Sequence, residues 1–245
     1  MIIMKRMMSR VAIVLGGMLL LLATSCAFNS SNRSGKDANM SSSVPTTGPI
    51  HYVALGDSTG AGVGAREGGY VLRLFNRLQK ERAGSSLTNL CVSGATTADL
   101  LRVQLERGVE ATPHLVTIGI GINDVGHGVA VEQFAANYKT LLERLRKDTQ
   151  AVIVISNLPD VSISPNIPQS VRPQYRHMIQ EFNKRIDQLA TEHGIVVFDV
   201  YTITHEELPN HPEFFSADQF HPSDAGYQLW ADEMWPTVAK AIGLP

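Results

Sequence analysis

From Ile50 onward, short apolar runs alternate with stretches whose apolar residues recur every three or four positions. The runs "IHYVAL", "LTNLCV", "HLVTIGI", "AVIVIS" and "IVVFDV" predict five strands. "AVIVIS" is apolar almost throughout, which points to a strand covered on both faces. Between the runs, "GYVLRLFNRLQKERA" sets Tyr70, Val71, Leu74, Phe75 and Leu78 on one helix face. "TTADLLRVQLER" reads as a helix opened by a threonine cap, and Val131 to Lys147 as an amphipathic helix. Arg172 to His193 reads as a long helix closed by Gly194. Ser223 caps a last helix, which Pro236 is expected to break or restart. Strand-helix alternation with short links predicts an α/β domain, a parallel sheet with helices on both faces.

In such sheets, ligands bind beyond the carboxyl ends of the strands. Those ends carry "GDSTG", "SGATT", "GIGIND", "NLPDVSISPNIP" and, past the fifth strand, a loop leading to "SADQFHPSD". Polar residues and glycines therefore converge on one edge.

The first fifty residues follow other rules. Lys5, Arg6 and Arg10 precede an apolar run from Val11 to Leu22 and then "ATSC". That is the order of a signal peptide. The run is shorter than the ~20 apolar residues that span a bilayer. "LATSC" resembles a bacterial lipobox, which would make Cys26 a lipidated N-terminus; an ordinary secretory signal is the alternative. Residues 27–49 are rich in Ser, Asn, Gly and Thr and predict a flexible spacer. The expected organisation is a signal with lipobox over 1–26, a linker over 27–49 and one domain over 50–245. The expected location is outside the cytoplasm, tethered to a membrane of the cell envelope by lipid on Cys26, or secreted if Cys26 is unmodified. With Cys26 lipidated, Cys91 is the only thiol and no intrachain disulfide forms; its apolar surroundings make it a small core residue.

Composition narrows the partners. The 245-residue chain is 44% hydrophobic with a net charge of −2, so no basic excess points to nucleic acid. Ser58 follows the first strand in "GDSTG". A phosphate loop would need Gly-Lys-Ser/Thr, which does not close this turn. A dinucleotide site needs G-x-G-x-x-G and an acid ending the second strand; Gly60, Gly62 and Gly64 have another spacing, and that strand ends in "CVSG". No cofactor is expected. "GDSTG" also fits the G-x-S-x-G nucleophile elbow, but that elbow follows several strands, and here only the leader and spacer precede the first.

Four separated blocks, in order, resemble the SGNH (GDSL) hydrolase family: Gly56-Asp57-Ser58, Gly94 in "VSGAT", Gly121-Ile122-Asn123-Asp124, and Asp218-Gln219-Phe220-His221. Thr59 stands where many members carry Leu or Tyr. The resemblance covers most of the chain from Ile50. It implies a three-layer αβα sandwich on a five-stranded parallel sheet, flavodoxin-like, and a serine esterase acting through an acyl-enzyme. A serine needs an adjacent base, which His221 can be, and the base needs a carboxylate on its other nitrogen, which Asp218 can supply within one local turn. Pro222 biases His221 away from helical angles. The resemblance assigns the oxyanion donors to the Ser58 and Gly94 backbone N–H groups and the Asn123 amide. Asp57 and Asp124 are expected to support their own loops through backbone hydrogen bonds.

Other residues carry lesser expectations. Asp160 is an alternative partner for His221. His205 and His211 lack a helical metal-binding spacing and read as loop histidines, and no metal is expected. His127 lines the cleft or is merely solvated. Trp230 and Trp235 read as packing. Phe214, Phe215 and Phe220, with an apolar wall from "VSISPNIPQSV", favour a small-molecule ester with a short to medium acyl chain. Carbohydrate O-acetyl esterase, acyltransferase and a non-catalytic tethered binding lipoprotein are the alternatives.

Overall fold

The structure is a computed structural model that describes residues 44, 45 and 47–245. The expected signal, Cys26 and most of the expected linker lie outside the described residues. Five strands form one parallel sheet: β1 (His51–Gly56), β2 (Ser86–Asn89), β3 (Leu115–Gly119), β4 (Val152–Ser156) and β5 (Val196–Phe198), in the order β2-β1-β3-β4-β5. This is the flavodoxin-like order, and it switches direction at β1 and β3.

Alternation along the central strands divides the core in two. Val53, Leu55, Val116, Ile118, Ile153 and Ile155 face one side. Against them pack α3 (Thr97–Val103), α4 (Leu105–Glu110), α6 (Val131–Asp148) and α7 (Arg172–Glu192). Tyr52, Ala54, Leu115 and Val154 face the other side, under α2 (Tyr70–Glu81) and α9 (Asp224–Ala241). The outcome is the expected three-layer sandwich. Tyr70 and Trp230 stack across α2 and α9 with ring centres 5.0 Å apart, so Trp230 is a packing residue.

Several elements differ from the sequence pattern. Past Asn89, Leu90 and Val92 still donate to β1 carbonyls, but the Asn89 side chain accepts from Cys91 N–H and donates to the Gly60 carbonyl, which ends the regular strand. Cys91 is therefore a half-buried residue just beyond β2, its thiol pushed well up by burial. The helix expected over "TTADLLRVQLER" splits at Gln104, whose buried side chain turns back onto β1. Pro236 does not break α9. It lies on the exposed face, as does Asp232 four residues earlier, so the carbonyl freed by the missing N–H faces water. Three short helices had no periodicity to reveal them: α1 (Ser58–Ala61), α5 (Ile122–Gly126) and α8 (Val200–Glu207).

Candidate active site

β1 delivers Gly56 to the carboxyl edge of the sheet, where Gln104 holds it from both sides. Gly56 N–H donates to Gln104 Oε1 at 2.9 Å, and Gln104 Nε2 donates to the Gly56 carbonyl at 2.8 Å. Asp57 then caps α1, its carboxylate accepting from Thr59 N–H and Thr59 Oγ1, each at 2.9 Å. Ser58 is thus the first residue of a helical turn, only 4% exposed, with its backbone N–H among those that have no intrahelical acceptor.

Its partner comes from the far end of the domain. His221 Nε2 lies 2.9 Å from Ser58 Oγ, and His221 Nδ1 lies 2.7 Å from Asp218 Oδ2. The other Asp218 oxygen accepts from Ser216 Oγ and from the N–H groups of Phe220 and His221 at 2.8–2.9 Å. Burial pushes the Asp218 carboxyl up, but the hydrogen bonds from the His221 ring, the two backbone N–H groups and Ser216 outweigh it and hold it well below the usual range. An ionised carboxylate only accepts, so the ring proton sits on Nδ1 and Nε2 is free to accept from the serine hydroxyl. The three residues expected to act together are therefore hydrogen-bonded in line.

Gly94 and Asn123 border the same edge. Gly94 is exposed at φ +79°, a backbone that suits glycine, and nothing lies within 4 Å of where a Cβ would stand. Asn123, in the first turn of α5, donates one amide hydrogen to the Ala95 carbonyl at 2.9 Å, which ties it to the Gly94 loop and leaves its second N–H uncommitted by that bond.

Two buried acids lie beneath. Burial raises the Asp57 carboxyl to about 6 against the lowering pull of Thr59, with a smaller contribution from His221. Asp124 is raised by burial too, opposed by its bonds from Thr97. The expectation that Asp124 orders its own loop needs correction. It reaches 27 residues back to accept from Thr97 N–H and Oγ1 at 2.9 and 2.6 Å, pinning α5 to α3.

The remaining candidates lie elsewhere. Asp160 is fully buried and pairs with His205 Nδ1 at 2.7 Å and Arg176 Nε at 3.2 Å, not with His221. His211 pairs with Glu213. His127 is exposed at the end of α5. Of the three phenylalanines, Phe220 stands edge-on to the His221 ring, with centres 5.2 Å apart. Phe214 and Phe215 instead line a small cavity of about 40 Å³ with Val200, Pro222 and Trp230. The "VSISPNIPQSV" segment turns a hydroxyl and an amide onto the Asp218 loop.

Residues 54–229 match the family described as "GDSL-like Lipase/Acylhydrolase family". The chain belongs to that family. Among this GDSL-like chain's relatives is the spore germination lipase LipC of Bacillus licheniformis, 26% identical over 211 residues, spanning 76% of this chain and 94% of the relative. The GDSL-like esterase Rv1075c of Mycobacterium tuberculosis is 27% identical over 198 residues, 79% of this chain but 63% of the relative. The solved structure of Axe2, an acetylxylan esterase from Geobacillus stearothermophilus, superposes with a TM-score of 0.66 at 22% identity, over 82% of this chain and 97% of the other. At that identity the likeness speaks for the fold.

Proposed function

We propose that this chain is a serine esterase that hydrolyses carboxylic or thio esters by a double displacement. The observation that carries the reading is the continuous Ser58–His221–Asp218 hydrogen-bonded line at the carboxyl edge of the sheet. Ser58 Oγ attacks the ester carbonyl as its proton passes to His221 Nε2. Asp218 stabilises the imidazolium that results. The carbonyl oxygen becomes an oxyanion, held by the Ser58 and Gly94 backbone N–H groups and the free Asn123 N–H. Collapse expels the alcohol or thiol, which takes the proton from His221 and leaves an acyl group on Ser58. Water, deprotonated by His221, then releases the acid. Family membership supports this reading, as do the relatives named as a lipase and an esterase.

Acyl length is less constrained. Short to medium chains fit an apolar border, but Phe214 and Phe215 turn into their own cavity and leave Phe220 beside the base. That favours a second reading, an acetyl ester of a carbohydrate. Hydrolysis of p-nitrophenyl esters from acetate to palmitate, with Ser58→Ala alongside, tests both. Ser58→Ala should abolish turnover, and the chain-length optimum chooses the acyl group. Turnover unchanged in Ser58→Ala would end the serine mechanism.

Tethering through lipid on Cys26 is part of the proposal and rests on the "LATSC" sequence. Metabolic labelling with a radiolabelled fatty acid should mark the wild type and not Cys26→Ser.

A further inference from the structure

The loop from Ser216 to His221 carries both the proposed base and its carboxylate, yet it is a surface loop. The Asp218 side chain is 46% exposed. Gln219, next in sequence, sits at φ +57°, in the left-handed region that a residue with a Cβ occupies only when its surroundings hold it there. Local bonds close the loop on itself: Ser216 N–H donates to the His221 carbonyl and Gln219 N–H to the Ser216 carbonyl. Those bonds set its internal shape. They do not set where the loop stands relative to Ser58, which belongs to the other end of the domain.

Two side chains from the segment after β4 reach across to it. Ser164 Oγ donates to the Gln219 carbonyl at 2.6 Å, and Asn166 Nδ2 donates to the Asp218 carbonyl at 2.6 Å. They grip the consecutive carbonyls on either side of the Cα of the left-handed residue. The gripping segment is itself braced. Ser164 is fully buried and its Oγ accepts from Asn166 N–H at 3.1 Å. Arg172 donates to the carbonyls of Ser164 and Ile167 at 3.1 and 3.0 Å. Two residues before Ser164, Ser162 is bonded through its N–H to buried Asp160, which Arg176 and His205 hold from α7 and α8.

We infer that Ser164 and Asn166 are positioning residues that aim the Asp218–His221 loop at Ser58, an inference that rests on the serine-esterase reading above. Their donors fix two backbone carbonyls of the loop, and the buried Asp160 cluster fixes the donors. A transition state that passes a proton between Ser58 Oγ and His221 Nε2 tolerates little drift, and a displacement of about 1 Å can cost roughly a hundredfold in rate. Both side chains spend these donors on loop carbonyls. Losing one should therefore lower the chemical rate and leave substrate binding alone.

The test uses the full chain with Ser164→Ala, Asn166→Ala, the double variant and Ser58→Ala. Three quantities are read: kcat and KM on p-nitrophenyl acetate, the rate at which a fluorophosphonate inactivates the enzyme, and the thermal midpoint. Each single variant should lose about tenfold in kcat with KM within about twofold, the inactivation rate falling in step. Asn166 is exposed, so Asn166→Ala stays folded and decides the matter even if Ser164→Ala does not fold. Unchanged kcat and inactivation rates, a loss carried by KM alone, or a loss equal to the unfolded fraction would overturn the positioning role. Full turnover in Ser58→Ala would overturn the underlying esterase mechanism instead, whatever the other variants do, and the positioning role would fall with it.

Discussion

Gly64 lies directly against His221. A Cβ on Gly64 would stand 2.9 Å from His221 Cβ and 2.6 Å from the Pro222 carbonyl oxygen, and the glycine's φ is +94°. The loop that follows the proposed nucleophile thus meets the Cβ of the proposed base and the carbonyl of the next residue with no atom to spare. Gly64→Ala should displace one loop from the other and lower kcat by about a hundredfold. The accompanying stability loss should be about 1–3 kcal/mol. Steady-state kinetics beside urea unfolding would check this, and a variant with wild-type kcat would sink it.

Asn123 offers a cleaner test of charge stabilisation. Its bond to the Ala95 carbonyl aligns the side chain, so Asn123→Ala removes the donor without moving Ser58 or His221. The expected result is a fall in kcat of about 10²–10³-fold with little change in KM. A change confined to KM would mean that Asn123 binds substrate and does not serve the oxyanion.

Gln104 bears on stability. It is fully buried and satisfies both backbone groups of Gly56. Gln104→Leu keeps most of the volume and leaves the Gly56 N–H unpaired, at a cost of about 1–3 kcal/mol, while the Gly56 carbonyl keeps its bond from Val92 N–H. Urea denaturation measures the cost directly; a loss under about 0.5 kcal/mol would mean that water replaces the side chain.

Asp57 predicts a pH dependence. Its folded carboxyl titrates near 6, against an ordinary 3.8, because burial disfavours the charge. The folded chain therefore binds this proton more tightly than the unfolded chain. The stability it confers is fully present below about pH 4 and is lost as pH rises through about 6, a swing of up to roughly 3 kcal/mol. Asp57→Asn keeps a cap for α1 and removes the titration, so the variant should gain stability relative to wild type between pH 4 and 7. Parallel stability curves for the two proteins would assign the effect to another group.

The sequence made some of this legible and concealed the rest for physical reasons. β1, β3 and β4 are covered on both faces and show as unbroken apolar runs. β2 and β5 are edge strands with fewer buried positions, and their limits drifted. Helices α1 and α5 are about one turn long, too short for any period to show. Ser58, Asn123, Asp218 and His221 stand in compact blocks, so the family resemblance could point to them. Gln104, Ser164 and Asn166 act on backbone groups 48 to 55 residues away, and no local pattern marks such a contact. Phe214 and Phe215 line a small cavity with Pro222 and Trp230, and closeness in sequence to His221 could not say which way their rings turn.

The serine and its base are 163 residues apart, one at the first strand of the sheet and the other just before the final helix. A ribosome makes the serine well before its partner. Under the proposed chemistry, a stalled or clipped chain that stops before His221 is inert, however well its sheet has formed. Under that chemistry, hydrolytic power arrives only once the segment beyond β5 has joined the sheet, so a copy that stops short of it cannot cleave an ester.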